Sequence, residues 1–342
     1  MSRTLFGVTA DGLDVDMIEL RNKNGLVVKC IPFGCCITHI LLPSQRGPAD
    51  IVLGFDKLSE YEADKTWQGA FVGRYANRIK GAPVRIGERD YALVKNDGGN
   101  YLHGALNKRV FTVEEADVKS VKFKTVSKDG EEGFPGELEI TVVYSLGDDN
   151  RFTMDYFART SADTHLNLTN HAYFDLSRGH DETIEKHLLR IESDAFLETT
   201  EDQIPTGKKI NVDGTPFDFR NKKPIGRDIG ADDINLKLGH GYDHCFLLKQ
   251  GKPGELSFAA EAASPEGDLS LKVFTTQPAV QLYTGNFLDG TLAGKGRTFN
   301  RRAAFCLETQ HYPDTPHHPD FPSTLLRPGE EFREKTVLEF SF

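Results

Sequence analysis

Thr164-His-Leu-Asn-Leu-Thr-Asn-His-Ala-Tyr-Phe174 alternates with the period of a β-strand. Leu166 and Leu168 fall on one face, and His165, Asn167, Thr169 and His171 on the other. A strand with one apolar face and one face of hydrogen-bonding groups either meets water or lines a polar cleft. A second run, residues 303–310, places Glu308 with the small residues Ala304 and Cys306 on one face and Phe305 and Leu307 on the other. Such a segment reads as buried, and a carboxylate there must be paired or put to use. An imidazole and a carboxylate on neighbouring polar faces are the parts needed to move protons in both directions.

The same strand signal recurs along the chain. Runs at 15–20, 26–31, 50–53, 121–125, 137–145, 151–160, 187–191, 256–262, 269–275, 280–284 and 336–342 are separated by Gly, Pro, Asn and Asp. In 137–145, Leu138, Ile140, Val142 and Tyr144 share a face; in 336–342, Leu338, Phe340 and Phe342 do. Dense strands with short turns predict an all-β chain of antiparallel sheets packed as a sandwich. The best helical candidate is residues 57–63, after Asp56. Residues 128–136 and 264–267 read as exposed hairpin ends, and the Pro-rich 313–328 as an ordered surface loop. No linker, composition shift or repeat divides the chain, so one domain over 1–342 is expected.

Composition narrows the partners. A net charge of −10 and a pI near 5.6 argue against nucleic acid or an anionic membrane. Thirty-two Gly and 23 Phe against 3 Met suit turns and strands better than helices. The N-terminal residues carry no signal-peptide pattern, and no run approaches the ~20 apolar residues of a membrane span. Cys30, Cys35, Cys36, Cys245 and Cys306 are odd in number and irregular in spacing, which reads as buried free thiols in a cytoplasmic protein.

Several polar positions stand out. Arg74 and Arg78 lie close together in Gly73-Arg-Tyr-Ala-Asn-Arg-Ile79. They are either a guanidinium site for carboxylates, phosphates or vicinal hydroxyls, or two surface ion pairs. His103 sits in a Gly- and Asn-rich turn, and Tyr173 follows His171 on the same face. In Gly239-His-Gly-Tyr-Asp-His-Cys245, Gly239 and Gly241 disfavour the helix that would align His240 with His244 for a metal. Asp243 reads instead as an acid at the mouth of the strand 245–248. Gln281 and Tyr283 share a face in 280–284. No phosphate-binding Gly turn, nucleophile elbow or His-Glu-x-x-His motif occurs, so no cofactor and no metal are expected.

Taken together these segments resemble the aldose 1-epimerase family. The likeness runs through 73–79, 102–104, 169–174, 204–207, 214–219, 242–244, 280–286, 306–310 and 326–330, in the family's order. It implies a galactose-mutarotase-like antiparallel β-supersandwich acting on a free aldohexose such as D-galactose or D-glucose, as a monomer or weak dimer. It implies Glu308 as general base on the anomeric hydroxyl, His171 as general acid on the ring oxygen, and His103 beside the reacting end. Asn77, Arg78, Tyr173, Asp243 and Gln281 are implied as hydroxyl-binding groups. Departures from the common pattern, at Ala105, Asp175 and His311, bear on sugar preference.

Ring opening takes a proton from O1 and gives one to O5, so the acid and base are expected on opposite sides of the reacting carbon. Glu308 is expected ionised, and His171 partly charged under the influence of Asp243 or Glu308. A hexose-6-phosphate epimerase and a non-catalytic sugar-binding module on the same fold are the competing expectations.

Overall fold

Every second side chain of the strand Leu138–Leu146 is buried: Leu138, Ile140, Val142, Tyr144 and Leu146 all face inward. The computed structural model describes residues 2–44, 47–81, 83–179 and 181–342. Leu138–Leu146 belongs to a nine-stranded sheet in which Phe332–Ser341, last in the chain, lies in the middle between Arg151–Thr160 and Ser270–Thr275. A five-stranded meander runs in chain order from Ser2–Val8 to Ala49–Asp50. A second five-stranded sheet has the order Pro205–Asn211, Ser193–Thr199, Asp243–Leu248, Ala279–Tyr283 and Cys306–Gln310. Strands pair antiparallel in all three.

One buried cluster draws on all three sheets. Ile18, Val28 and Ile40 come from the meander, Ile140 and Leu338 from the large sheet, and Phe196, Val280 and Leu307 from the second small sheet. The other face of the large sheet is polar, with Lys122 paired to Glu114 and Lys335 to Asp155. Both small sheets therefore pack on one face of the large one, which is the supersandwich expected. Truncating a core side chain such as Ile140 to Ala costs on the order of 2–5 kcal/mol.

The predicted strands are present with their ends shifted by a few residues; Arg151–Thr160 matches at both ends. The helix is Leu58–Ala63, its first turn closed by Glu60, whose carboxylate accepts from the Asp56 and Lys57 amides at 3.0 and 2.8 Å. Three expectations need correction. Phe342 lies past its strand and is 38% exposed, so it does not share the buried face of Leu338 and Phe340. Residues 128–136 are not a plain exposed hairpin end, because Phe134 is buried and packs edge-on against Tyr101 at 5.3 Å. The run 164–174 is not one strand: Thr164–His165 and Thr169–Asn170 pair with Leu325–Leu326 and Phe71–Val72 respectively, and Asn167 and Phe174 make isolated bridges, to Tyr75 and to Val52 and Phe305. Both of its faces are buried, so its alternation separates two packed environments and not core from water.

Candidate active site

Cys306–Gln310 forms the edge of the second small sheet, and each of its residues is buried. Its ladder with Ala279–Tyr283 sets Glu308 opposite Gln281 and Cys306 opposite Tyr283; the next strand sets Asp243 opposite Tyr283. His171 arrives from the short strand Thr169–Asn170. Its main chain is tied on both sides, the His171 amide donating to the Ala70 carbonyl at 2.8 Å and the Gly69 amide to the His171 carbonyl at 3.1 Å. This fixes His171 Nε2 at 3.6 Å from Glu308 Oε1, with both side chains almost wholly buried.

His103 follows the strand Tyr101–Leu102, which pairs with Arg78–Ile79. Both Asn77 and His103 have left-handed backbones, with φ of 66° and 58°. Asn tolerates this conformation better than most residues, and the next position, Gly104 (φ 71°), has no room for a side chain. A Cβ there would collide with the Tyr101 hydroxyl and the Gly73 carbonyl. The turn brings His103 Nδ1 within 3.1 Å of the Asn77 amide, which donates to it.

Asn77, Arg78, His103, His171, Tyr173, Asp243 and Glu308 border a single cavity of about 160 Å³. That is below the ~300–1,000 Å³ of sites for drug-sized ligands and suits a single small polar molecule. Gln281 does not border the cavity; it stands behind Asp243 and donates to its carboxylate at 2.7 Å. Tyr173 stacks on His171, with ring centres 5.0 Å apart and planes 23° apart, and its hydroxyl donates to the Thr66 carbonyl at 2.9 Å. Arg78 pairs with Asp97 at 2.7 Å. Arg74 fits neither of its expected roles. It is fully buried and outside the cavity, donating to Ser127 Oγ and to the carbonyls of Ser127, Lys128 and Pro135 at 2.6–3.2 Å. It pins residues 128–136 in place behind the His103 turn.

The ionisation states also depart from expectation. Burial, then the charge of Asp243, pushes the Glu308 carboxyl well above the usual range, with Arg78 opposing. Burial lowers His171 to about 4 and takes His103 well below its ordinary value. Burial therefore favours the protonated carboxyl at Glu308 and the neutral ring at both histidines. Asp243 acts on Glu308 and does not hold His171 as a cation. Charge partners were weighed in the sequence without the cost of removing the groups from water. The two reacting atoms are also too close for a pyranose to lie between them, so they meet a ligand from the same wall and not from opposite sides.

His103, His171 and Glu308 offer three possible ligand atoms within 4.8 Å of one another. His103 does not suit a resident metal, however. Its Nδ1 lone pair is taken by the Asn77 amide, so Nε2 carries the proton and the ring presents a donor. Lys65, Thr66, Trp67 and Phe287 also border the cavity and carry no periodic signal of it in the sequence. Trp67 sets its ring 4.7 Å from His103 and 6.3 Å from His171. Phe287 stands at the rim, 56% exposed, over Tyr283. Tyr283, which shares a face with Gln281, borders the cavity where Gln281 does not. The best clue was that Trp67 is the only Trp in the chain.

An antiparallel supersandwich with a small cleft, floored by a carboxyl–imidazole pair and walled by aromatic rings, defines a class of carbohydrate-handling proteins with acid–base chemistry. The family model for aldose 1-epimerase matches residues 16–339, and the chain belongs to that family. It is 42% identical to galactose mutarotase of Mus musculus, covering 100% of this chain and 98% of that protein. It is 37% identical to aldose 1-epimerase of Escherichia coli (strain K12), covering 96% of each. Among solved structures, an aldose epimerase homologue from C. elegans superposes with a TM-score of 0.87 at 31% identity, over 95% of this chain and 98% of that one.

Proposed function

We propose that this protein interconverts the α and β anomers of free aldohexoses, D-galactose and D-glucose, by ring opening, rotation about C1–C2 and reclosure. Glu308 removes the O1 proton and His171 protonates O5. The observation that carries this reading is the 3.6 Å separation of His171 Nε2 and Glu308 Oε1 on the cleft wall. O1 and O5 are both bonded to C1, so the groups that serve them must be neighbours.

The pair needs one proton between its two members. Opening starts from carboxylate and imidazolium; O1 gives its proton to Glu308 as Nε2 gives its own to O5. The pair is then a neutral carboxyl and a neutral imidazole, which is the distribution that burial favours. Closure on the other face of C1 reverses both transfers, and neither group is consumed. The neutral His103, presenting Nε2–H, supplies a fixed donor to a sugar oxygen.

A phosphorylated hexose is the reading that Arg78 would favour. Against it, Arg78 is paired with Asp97 and Arg74 is spent on main-chain carbonyls outside the cleft. Polarimetry on freshly dissolved α-D-galactose, α-D-glucose and a hexose 6-phosphate tests the proposal. Catalysed relaxation of the free sugars is expected. Relaxation of the phosphate alone, or of none, contradicts it.

A further inference from the structure

We propose that the two active-site histidines are held in opposite neutral tautomers, and that Cys306 is the positioning residue that sets the tautomer of His171. The inference rests on the reading of His171 as the group that exchanges a proton with O5.

At His103 the assignment follows from one bond. A backbone amide only donates, so the Asn77 N–H at 3.1 Å requires a bare Nδ1 and places the ring proton on Nε2. At His171 the surroundings differ. Cys306 and Glu308 are two residues apart on one face of the strand Cys306–Gln310, and each reaches a different nitrogen of the same ring. Sγ lies 3.4 Å from Nδ1, and Oε1 lies 3.6 Å from Nε2. Stacking on Tyr173 and the edge of Tyr283 fix the ring plane. A proton that leaves for O5 and later returns must use the nitrogen facing the cleft. Nε2 must therefore be bare in the open-chain state, with the ring proton on Nδ1, directed at sulfur. Burial favours the protonated form of the Glu308 carboxyl, which is a donor and is matched by a bare Nε2.

Sulfur is a weak acceptor. It fixes which nitrogen carries the proton without holding the imidazolium as a carboxylate would, so the Nε2 proton stays transferable. Burial keeps the Cys306 thiol itself protonated.

Two-bond ¹H–¹⁵N spectra of the full-length protein, labelled at histidine, read both rings directly. His103→Asn and His171→Asn variants assign the signals. The expected result is His103 as Nε2–H and His171 as Nδ1–H. Cys306→Ala should move His171 to a mixture of tautomers and lower kcat about tenfold, with KM within about twofold and His103 unchanged. Cys306→Ser, which keeps a small acceptor at the same place, should restore the His171 pattern and most of kcat even if the Ala variant is unstable. His171 found as Nε2–H in the unmodified protein, or a Ser variant with the tautomer lost, overturns the proposal. Wild-type kcat in His171→Asn would instead overturn the assignment of the acid, whatever the tautomers are.

Discussion

Glu308→Gln isolates the base from the fold. The substituted group is 2% exposed and carries an unpartnered Oε2, and burial favours its protonated form. A neutral amide of nearly the same shape therefore adds no burial penalty. The stability change is expected within about 1 kcal/mol. At about 2.1 cal/mol/K of unfolding entropy per residue, a chain of this length gives ~0.7 kcal/mol/K, so Tm should move by no more than about 1–2 °C. The rate should change far more. A positioned base contributes ~10²–10⁴-fold, and the amide cannot take the O1 proton. Relaxation of fresh α-D-galactose, followed polarimetrically with the spontaneous rate subtracted, should fall by at least about a hundredfold in kcat. KM should stay within a few-fold, because Asn77, Arg78 and Asp243 still border the cavity. A variant with a wild-type melting curve and kcat within about fivefold of wild type would refute the role of Glu308.

The pH dependence follows from the same pair. His171 is lowered to about 4 and Glu308 is raised, so the one-proton state spans the interval between them. As pH falls through about 4 a second proton arrives and Glu308 can no longer accept one; as pH rises past the raised value of Glu308 the single proton is lost and His171 has none to give. The expected kcat/KM profile falls on the acid side near 4, whereas an acid limb near the free imidazole value of ~6.5 would contradict it. Arg74→Met strips the donor from Ser127 Oγ, from the buried carbonyls of Ser127 and Pro135 and from the half-buried carbonyl of Lys128, at a cost of about 3–5 kcal/mol. That corresponds to a loss of about 4–7 °C in Tm, and a thermal melt shifted by less than 1 °C would show that these bonds carry no weight.

Much of this was legible in the residues. Alternation in 137–145 and 151–160 marks strands with one buried and one wet face, so period, boundaries and core agree. The same rule fails in 164–174 because the segment is enclosed on both sides. His165 meets Thr324, Asn167 meets the Ala76 carbonyl, and only His171 and Tyr173 reach the cleft. Glu308 was identifiable as a carboxylate inside an apolar strand. Arg74 was misplaced because its acceptors, the carbonyls of 127, 128 and 135, lie more than fifty residues away and carry no side-chain signature. Trp67 and Phe287 lie in segments without strand periodicity, and Cys306 shows its purpose only once His171 is set beside it.

The account stands on which end of the sugar meets the wall formed by residues 171 and 308. A crystal structure of the Glu308→Gln variant with D-galactose bound measures this directly. O5 is expected within about 3.2 Å of His171 Nε2, and O1 within about 3.2 Å of the side chain at 308. A sugar seated with C1 at the Phe287 rim, and neither oxygen in reach of those two groups, would contradict it.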